Sequence, residues 1–476
     1  MNINKKAVIS IIFIAFITSC LLSYYFVNLY DGYNVNGVTH IMLKEETFYH
    51  WYEAAKIIEQ IKSGKSAFIA GGEVFTKPLP QRLVALYAYI TDLEIIENWQ
   101  NSKINLGGKL PFLLIQSTIY YLAVFVLFKQ IINYFSKEIS FFIILFLCFE
   151  PTIFQYHSSF WTESFYFSIQ LFILAIILNQ NNSYKNLIII GLLLGLLFIQ
   201  RSVGIFYIVV VSLYYLFDKD KPKFKKILFL LIPYLVICIF LGLHNYKRVG
   251  VFYMMPTEGK YGMYKYFAKN ILAEANNVPI SEVNRSEVNK SLIWMKKNLP
   301  NLDHEKYIHI NSPYEVGLSI LNEEERIKFW GYLNKRAYQI LVGSPFLTLK
   351  KTISGFMHFS VLNPSFVYYD YEYFKNFSSN IIGDFSFSEQ HKKIIPLRIV
   401  YTSIIFLICF IGFVSLYKKN SKLALFLLFS VIYYYVITGW YGKTRLFAPC
   451  LIYLSIFFGH GLNYCINKLN NKKQIE

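Results

Sequence analysis

The chain has 476 residues, 55% of them hydrophobic and only 16% charged, whereas a soluble domain carries about a quarter charged residues, so an ordinary soluble enzyme is excluded. A net charge of +18 would suit a phosphate polymer, but the lysines collect in short runs between apolar blocks, the positive-inside pattern of a membrane protein rather than a nucleic-acid surface. The strict alternation of a β-barrel is absent, and the expected class is an all-α polytopic membrane protein.

In chain order, MNINKK precedes an apolar run to about Tyr30 that lacks an A-x-A-like cleavage site, which reads as a retained first helix rather than a signal peptide. Candidate spans lie at 7–29, 109–132, 139–156, 160–179, 186–200, 203–217, 227–244, 397–417, 422–440 and 446–465, about ten blocks, many near the roughly 20 residues that cross hydrocarbon. The fifth and sixth are short and meet at Gln200-Arg201-Ser202, as the arms of a helical hairpin with a sunken tip would.

With the N-terminus in the cytoplasm, the inner connections hold Lys5, Lys6, Lys129, Lys137, Lys185, the run Lys219 to Lys226, Lys418, Lys419, Lys422 and Lys468 onward. The short outer ones hold little beyond Arg201, Lys443 and Arg445. This bias places both termini inside. The expected division is a transmembrane module over 1–244 with a first outer loop at 30–108, an extracytoplasmic segment over 245–396, and C-terminal spans over 397–476. The extracytoplasmic segment holds a polar helical stretch at 322–341 and an amphipathic one at 346–362, whose basic and aromatic faces suit the membrane interface.

The six cysteines, Cys20, Cys148, Cys238, Cys409, Cys450 and Cys465, show no CxxC or Cys/His spacing. They support neither a disulfide framework nor a zinc site and read as small hydrophobes.

Several stretches carry chemistry. LKEETFYHWYEAAK, 43–56, puts Glu46, Tyr49, His50 and Glu53 on one helical face and Glu45, Tyr49, Tyr52 and Lys56 on the next. A carboxylate among aromatic rings at the mouth of a bundle suits a general base; an interfacial aromatic belt with acids facing water is the commoner source of such a pattern. In CFEPTIFQYHSSFWTESF, 148–165, Glu150 and Glu163 bracket an outer connection. Glu163 falls in a first helical turn, where the helix dipole favours it, and acids at a membrane edge are functional candidates. Arg201 in FIQRSVG is costly between apolar helices unless paired, wetted or snorkelling; it can pair with Glu163 or bind a phosphate. Lys443 and Arg445 stand against the positive-inside bias, as they would around an anionic ligand or as tolerated charges. Lys77, Pro78, Pro80 and Arg82 open an apolar run that suits a juxtamembrane helix with a basic start facing lipid phosphates.

In this order the pieces resemble the GT-C superfamily of membrane glycosyltransferases, in particular the bacterial branch similar to protein O-mannosyltransferases and lipid A aminoarabinose transferases. The matching positions are Glu45 or Glu46 with Tyr49 or His50 and Ala54 or Ala55 in the first outer loop, then Lys77-Pro78-Leu79-Pro80. Thr162-Glu163, Gly191 and Gly195 leading to Arg201, Asn245-Tyr246 with Gly250-Val251-Phe252, and Arg445 with Pro449 follow. The resemblance covers about 1–260 well and 330–465 more loosely; it departs from the family in having glutamate where aspartate is usual, with Asp31 as a fallback acid.

The resemblance implies an enzyme of a bacterial plasma membrane with its active site outside. It would transfer a sugar, with inversion, from a polyprenyl-phosphate donor to a hydroxyl of a lipid, glycan or protein acceptor, without a cofactor or catalytic metal. Glu45 or Glu46 would be the catalytic base, Arg201, Lys443 and Arg445 would neutralise the phosphate, and Glu163 would position Arg201 or the acceptor. Tyr49, His50 and Lys77 would complete the substrate-binding set. Two other classes fit the composition: a polysaccharide polymerase or ligase, for which the long segment 245–396 leaves room, and a non-enzymatic lipid or glycan transporter, whose inverted repeats are not visible.

Overall fold

A computed structural model describes residues 5–31, 46–66, 70, 78–92, 109–154, 156–157, 162–179, 183–217, 223–254, 262–300, 302, 321, 323–360, 389–439 and 447–473. Among these residues the protein is helical throughout, without a strand. The first half holds α1 Lys5–Asp31, α2 Glu46–Lys62, α3 Pro78–Ile90, α4 Lys109–Tyr134, α5 Lys137–Phe149, α6 Pro151–Phe154, α7 Glu163–Leu178, α8 Tyr184–Gln200, α9 Tyr207–Leu216 and α10 Lys223–Val249. A π-helical stretch, Met263–Ala268, leads into α11 Lys269–Asn276, followed by α12 Ile280–Asn298, α13 Glu323–Gly343 and α14 Pro345–Ser360. The last helices are α15 Glu389–Lys419, α16 Ser421–Thr438 and α17 Ala448–Lys473.

Within their described residues all ten expected apolar blocks are largely helical, and the protein is an all-α polytopic membrane protein. Among the described residues, six helices are long and apolar enough to cross a membrane, namely α1, α4, α10, α15, α16 and α17, while α7, α8 and the stretch 202–216 are shorter. The block expected at 139–156 is broken. Glu150 adopts φ −60° and ψ 117° before Pro151, the extended conformation that a following proline ring enforces, so α5 stops and the short α6 restarts. The N-termini of α5, α8 and α16 are capped by side chains: Ser136 accepts from the Ile139 N–H, Ser183 from Asn186 and Asn420 from Leu423.

One core joins the apolar helices of both halves of the chain, with Val8, Tyr120, Ile143, Phe167, Leu194 and Leu451 among its buried members. Two crossings are set by glycine. A Cβ at Gly191 would run into the Leu230 carbonyl oxygen, and one at Gly195 into the Ile237 side chain. The Gly-x-x-x-Gly spacing on α8 therefore lets α10 approach at backbone distance. Gly412 on α15 and Gly461 on α17 face the Phe457 and Ile408 carbonyls in the same way. Without a hydrophobic drive between helices in lipid, such close dispersion contact is what holds spans together. The opposite faces leave Phe13, Leu21, Phe240 and Phe410 exposed, as expected of surfaces that hydrocarbon covers.

The lysine-rich helix ends meet at one end of the bundle. Lys422 lies over the Tyr214 ring at 4.1 Å and Lys225 over Tyr184 at 5.3 Å, and the Asn420 amide donates to the Tyr134 hydroxyl. At the other end, α2 and α3 form a small cluster in which Ala54, Ile57, Val84 and Ala85 pack with Phe112 and Leu113 of α4 and reach Phe165 of α7.

A separate core unites the π-helical stretch with α11, α12 and α13 through Tyr264, Ile271, Met295, Phe329 and Leu333. Its polar centre is Glu287 on α12, which accepts from Arg336 Nε at 2.9 Å, Arg336 Nη2 at 2.8 Å, Lys290 Nζ at 2.8 Å and Tyr264 Oη at 3.1 Å. Burial alone would raise the pKa of Glu287; the hydrogen bonds from Arg336 and Lys290 outweigh it and bring the carboxyl down to about 2. The amphipathic stretch expected at 346–362 is α14. It is tied to α11 by Lys350 and Lys351, whose Nζ atoms stand 2.8 and 2.7 Å from the Glu274 carboxylate. It is tied to α16 by Phe356, whose ring stacks on Tyr435 at 5.0 Å and whose carbonyl accepts from the Tyr435 hydroxyl at 2.9 Å.

Candidate functional site

The site grows from the junction between α7 and α8. Glu163 is the first residue of α7, where the exposed backbone N–H groups favour a negative charge. α8 ends at Gln200, and Arg201 leaves it in an extended conformation, φ −151° and ψ 132°, before one turn of 3-10 helix at Ser202–Gly204. That break turns the arginine back across the bundle. Arg201 Nη1 stands 2.6 Å from Glu163 Oε1, with the two side chains 6% and 0% exposed. Of the alternatives for Arg201, pairing with Glu163 is thus realised, and the guanidinium is held inside the protein rather than snorkelling.

The guanidinium end of the pair is not saturated. The Nη1–Oε1 contact lacks the alignment of an N–H···O hydrogen bond, and Nη1 has no hydrogen-bond acceptor. The other Glu163 oxygen accepts from the Thr162 hydroxyl at 3.3 Å. Next to it, the Gln200 amide nitrogen donates to the Thr162 carbonyl at 3.0 Å, while Gln200 Oε1 has no partner. The Tyr166 ring lies under the guanidinium at 5.9 Å.

From this junction a polar seam runs along one face of α7, at the i, i+3 and i+7 positions Glu163, Tyr166 and Gln170. The Tyr166 and Tyr434 hydroxyls are 2.8 Å apart. Gln170 donates to the Pro449 carbonyl at 3.3 Å and to the Tyr453 hydroxyl at 3.2 Å. The Tyr207 hydroxyl lies 3.0 Å from Ser430 Oγ. The seam joins α7 to the first turn of α17.

The acid that brackets the same connection, Glu150, has different partners. It accepts from Thr152 Oγ1 at 2.9 Å, the Ile153 N–H at 2.9 Å and the Tyr401 hydroxyl at 3.1 Å. It clasps α6 to α15 and stands apart from the arginine in its bonding. His157 is fully buried, with Nδ1 2.8 Å from Ser164 Oγ and its ring 3.8 Å from that of Tyr120.

The stretch that carries the expected base forms α2. Glu46 is its first residue, and positions 49 and 50 lie in its second turn. Helical register sets position 46 on the same face as position 53, and Glu53 is buried at 1% exposure, with Lys56 Nζ 3.3 Å from its carboxylate. Beside it Ala54 and Ile57 enter the cluster that reaches Phe165, two residues into α7 from Glu163. α3 adds Arg82, which donates to the Ala70 carbonyl at 2.9 Å and lies 3.4 Å from His244 Nε2. Burial first, and then the charge of Arg248, lower its pKa. Glu45, Lys77, Lys443 and Arg445 lie outside the described residues, and so do the side chains of Asp31, Glu46, Tyr49 and His50.

Of the expected site residues, the structure thus brings Glu163 and Arg201 together, and it packs α2 on α3 in a cluster that Phe165, near the start of α7, joins. Gln200, Tyr166 and Gln170 were not among them. Their signal was available as polar side chains inside apolar blocks, which mark candidate sites. Glu53 was read on the face of Glu46, but its burial depends on α3 and α4. Among the described residues no group of three His, Cys, Asp or Glu side chains is placed to hold a metal ion.

No family model matches the chain, and no curated protein does. Among solved structures, it is similar to an oligosaccharyltransferase from Archaeoglobus fulgidus tethered to an acceptor peptide with an NVT sequon. The TM-score is 0.45 at 11% identity, over 99% of this chain and 51% of that one. The chain spans about half the length of that structure, and a likeness of this degree transfers nothing of that enzyme's chemistry.

Proposed function

We propose that the protein is a membrane glycosyltransferase of the GT-C type that moves a sugar from a polyprenyl-phosphate donor to an acceptor hydroxyl on the extracytoplasmic side. The observation that carries this reading is the buried Arg201–Glu163 ion pair, whose Nη1 makes no aligned hydrogen bond. A cation held in place by one carboxylate, with an N–H left for another acceptor, is suited to an anionic oxygen. The cluster that α2 shares with α3, α4 and Phe165 supports a base on α2 near the same end of the bundle as Glu163, and the shared face of positions 46 and 53 favours Glu46 over Glu45.

In this reading the donor phosphate lies against Arg201, with Lys443 and Arg445 adding positive charge. The acceptor oxygen attacks the anomeric carbon from the face opposite the phosphate. A new C–O bond forms as the bond to the phosphate oxygen breaks, the polyprenyl phosphate leaves with its electron pair, and the glutamate takes the acceptor proton. Arg201 stabilises the charge growing on the leaving oxygen, and Glu163 keeps the guanidinium oriented before the reaction, so little reorganisation is needed.

The test is transfer of a labelled sugar from polyprenyl-phosphate donors by the purified protein. Glu46→Gln is expected to lower the rate by about 10²- to 10⁴-fold, the range of a general base. Full activity in both Glu45→Gln and Glu46→Gln would remove the proposed base.

A further inference from the structure

Gln200 occupies an unusual chemical position. Its carboxamide is fully buried, and its orientation is fixed because only the NH2 group can donate to the Thr162 carbonyl, at 3.0 Å. That assignment leaves Oε1 as the open end, a buried acceptor with no donor. One residue on, Arg201 holds a buried donor, Nη1, with no aligned acceptor. The two heads lie against consecutive residues, the amide of Gln200 on the Thr162 carbonyl and the guanidinium of Arg201 on the Glu163 carboxylate. They do not satisfy one another, although each is left unmade at a cost that folded proteins ordinarily avoid.

A ligand that completes both must present an anionic oxygen and an O–H or N–H. A fully ionised phosphate offers acceptors only and leaves Gln200 unsatisfied. A glycosyl phosphate offers both, since the carbon next to the anomeric centre carries a hydroxyl or an amide N–H beside the phosphate oxygen. We infer that Gln200 is a specificity residue that accepts a hydrogen bond from the donor sugar at the position adjoining its phosphate, so that the site selects sugars bearing an O–H or N–H there. This rests on the donor-phosphate reading above and adds to it a requirement on the sugar.

The experiment uses the full chain in lipid nanodiscs and measures binding of bare polyprenyl phosphate and of polyprenyl-phosphate glucose, mannose and N-acetylglucosamine. It compares wild type, Gln200→Met and Arg201→Met, with thermal unfolding of each as a folding check. At least one sugar donor should bind wild type about tenfold more tightly than bare polyprenyl phosphate, the scale of one buried hydrogen bond. That gain should vanish in Gln200→Met, while bare polyprenyl phosphate binds as in wild type. Arg201→Met should weaken every lipid phosphate. For a donor that gains, the 2-deoxy analogue should bind wild type as weakly as the parent donor binds Gln200→Met. A gain that survives Gln200→Met, or no gain for any sugar, overturns the inference and leaves the phosphate site standing. If no lipid phosphate binds in an Arg201-dependent way, the proposed function falls with it. Should Gln200→Met fail to fold, the 2-deoxy analogue on wild type decides alone, and equal binding of it and its parent refutes the assignment.

Discussion

Breaking the Arg201–Glu163 pair should cost the protein more than the pair itself contributes. At 2.6 Å, two unit charges attract by about 6 kcal/mol with an effective dielectric near 20. Holding both charges out of water, at 6% and 0% exposure, costs several kcal/mol per ion, so the intact pair is close to neutral in stability. Removing one partner leaves the cost of the other uncompensated. Arg201→Met takes the guanidinium away from a buried carboxylate that also accepts from the Thr162 hydroxyl, and Glu163→Gln strands a guanidinium over the Tyr166 ring. Each single variant is expected to lose about 3–5 kcal/mol, and the double variant Glu163→Gln/Arg201→Met to recover at least half of the summed loss. The assay is reversible SDS unfolding in mixed micelles, followed by circular dichroism, on all four proteins. Single variants within about 0.5 kcal/mol of wild type, the ordinary range of surface changes, or a coupling energy near zero, would refute the argument that the pair is buried and interdependent.

Other outcomes follow from the same physics. Because the folded pKa of Glu287 is depressed to about 2 from 4.5, its stabilisation is complete above about pH 4.5 and fades as the pH falls toward 2. Fluorescence of Trp294, stacked on Tyr332 at 4.8 Å, should report this loss, Glu287→Gln should flatten it, and an identical acid transition in the variant would count against the Arg336 fork. Gly191→Ile pushes a side chain into the Leu230 carbonyl and should cost about 1–3 kcal/mol by overpacking; an unchanged unfolding midpoint would mean that α8 and α10 do not cross so closely. On α14, Phe346, Leu349, Ile353 and Met357 form an exposed apolar stripe, which suits the membrane interface. Met357→Trp should be quenched by brominated lipids and protected from iodide, and the reverse pattern would detach this helix from the bilayer.

Much of the architecture was legible because lipid imposes it. A chain crossing hydrocarbon must satisfy its backbone within each segment, so apolar length translates directly into helices. The break of the third block at Glu150-Pro151 follows from proline sterics and could be read locally. In the sequence Gly191 and Gly195 stand out only as part of the family resemblance; the close crossing they permit, and its partner α10, are matters of packing.

The site was legible only in its parts. Thr162-Glu163 and Arg201 stood out because charge inside apolar sequence is costly, and pairing was one of the readings open to Arg201. Which acid it takes depends on how α7 and α8 lie against each other: Glu163 receives the guanidinium, whereas Glu150 is turned to Tyr401 on a helix some 250 positions away in the chain. The burial of Glu53 and the unsatisfied ends of Gln200 and Arg201 are likewise invisible in one dimension. Residue type fixes what a side chain can donate or accept; only the packed helices decide which donors and acceptors are left over, and a binding site is made of what is left over.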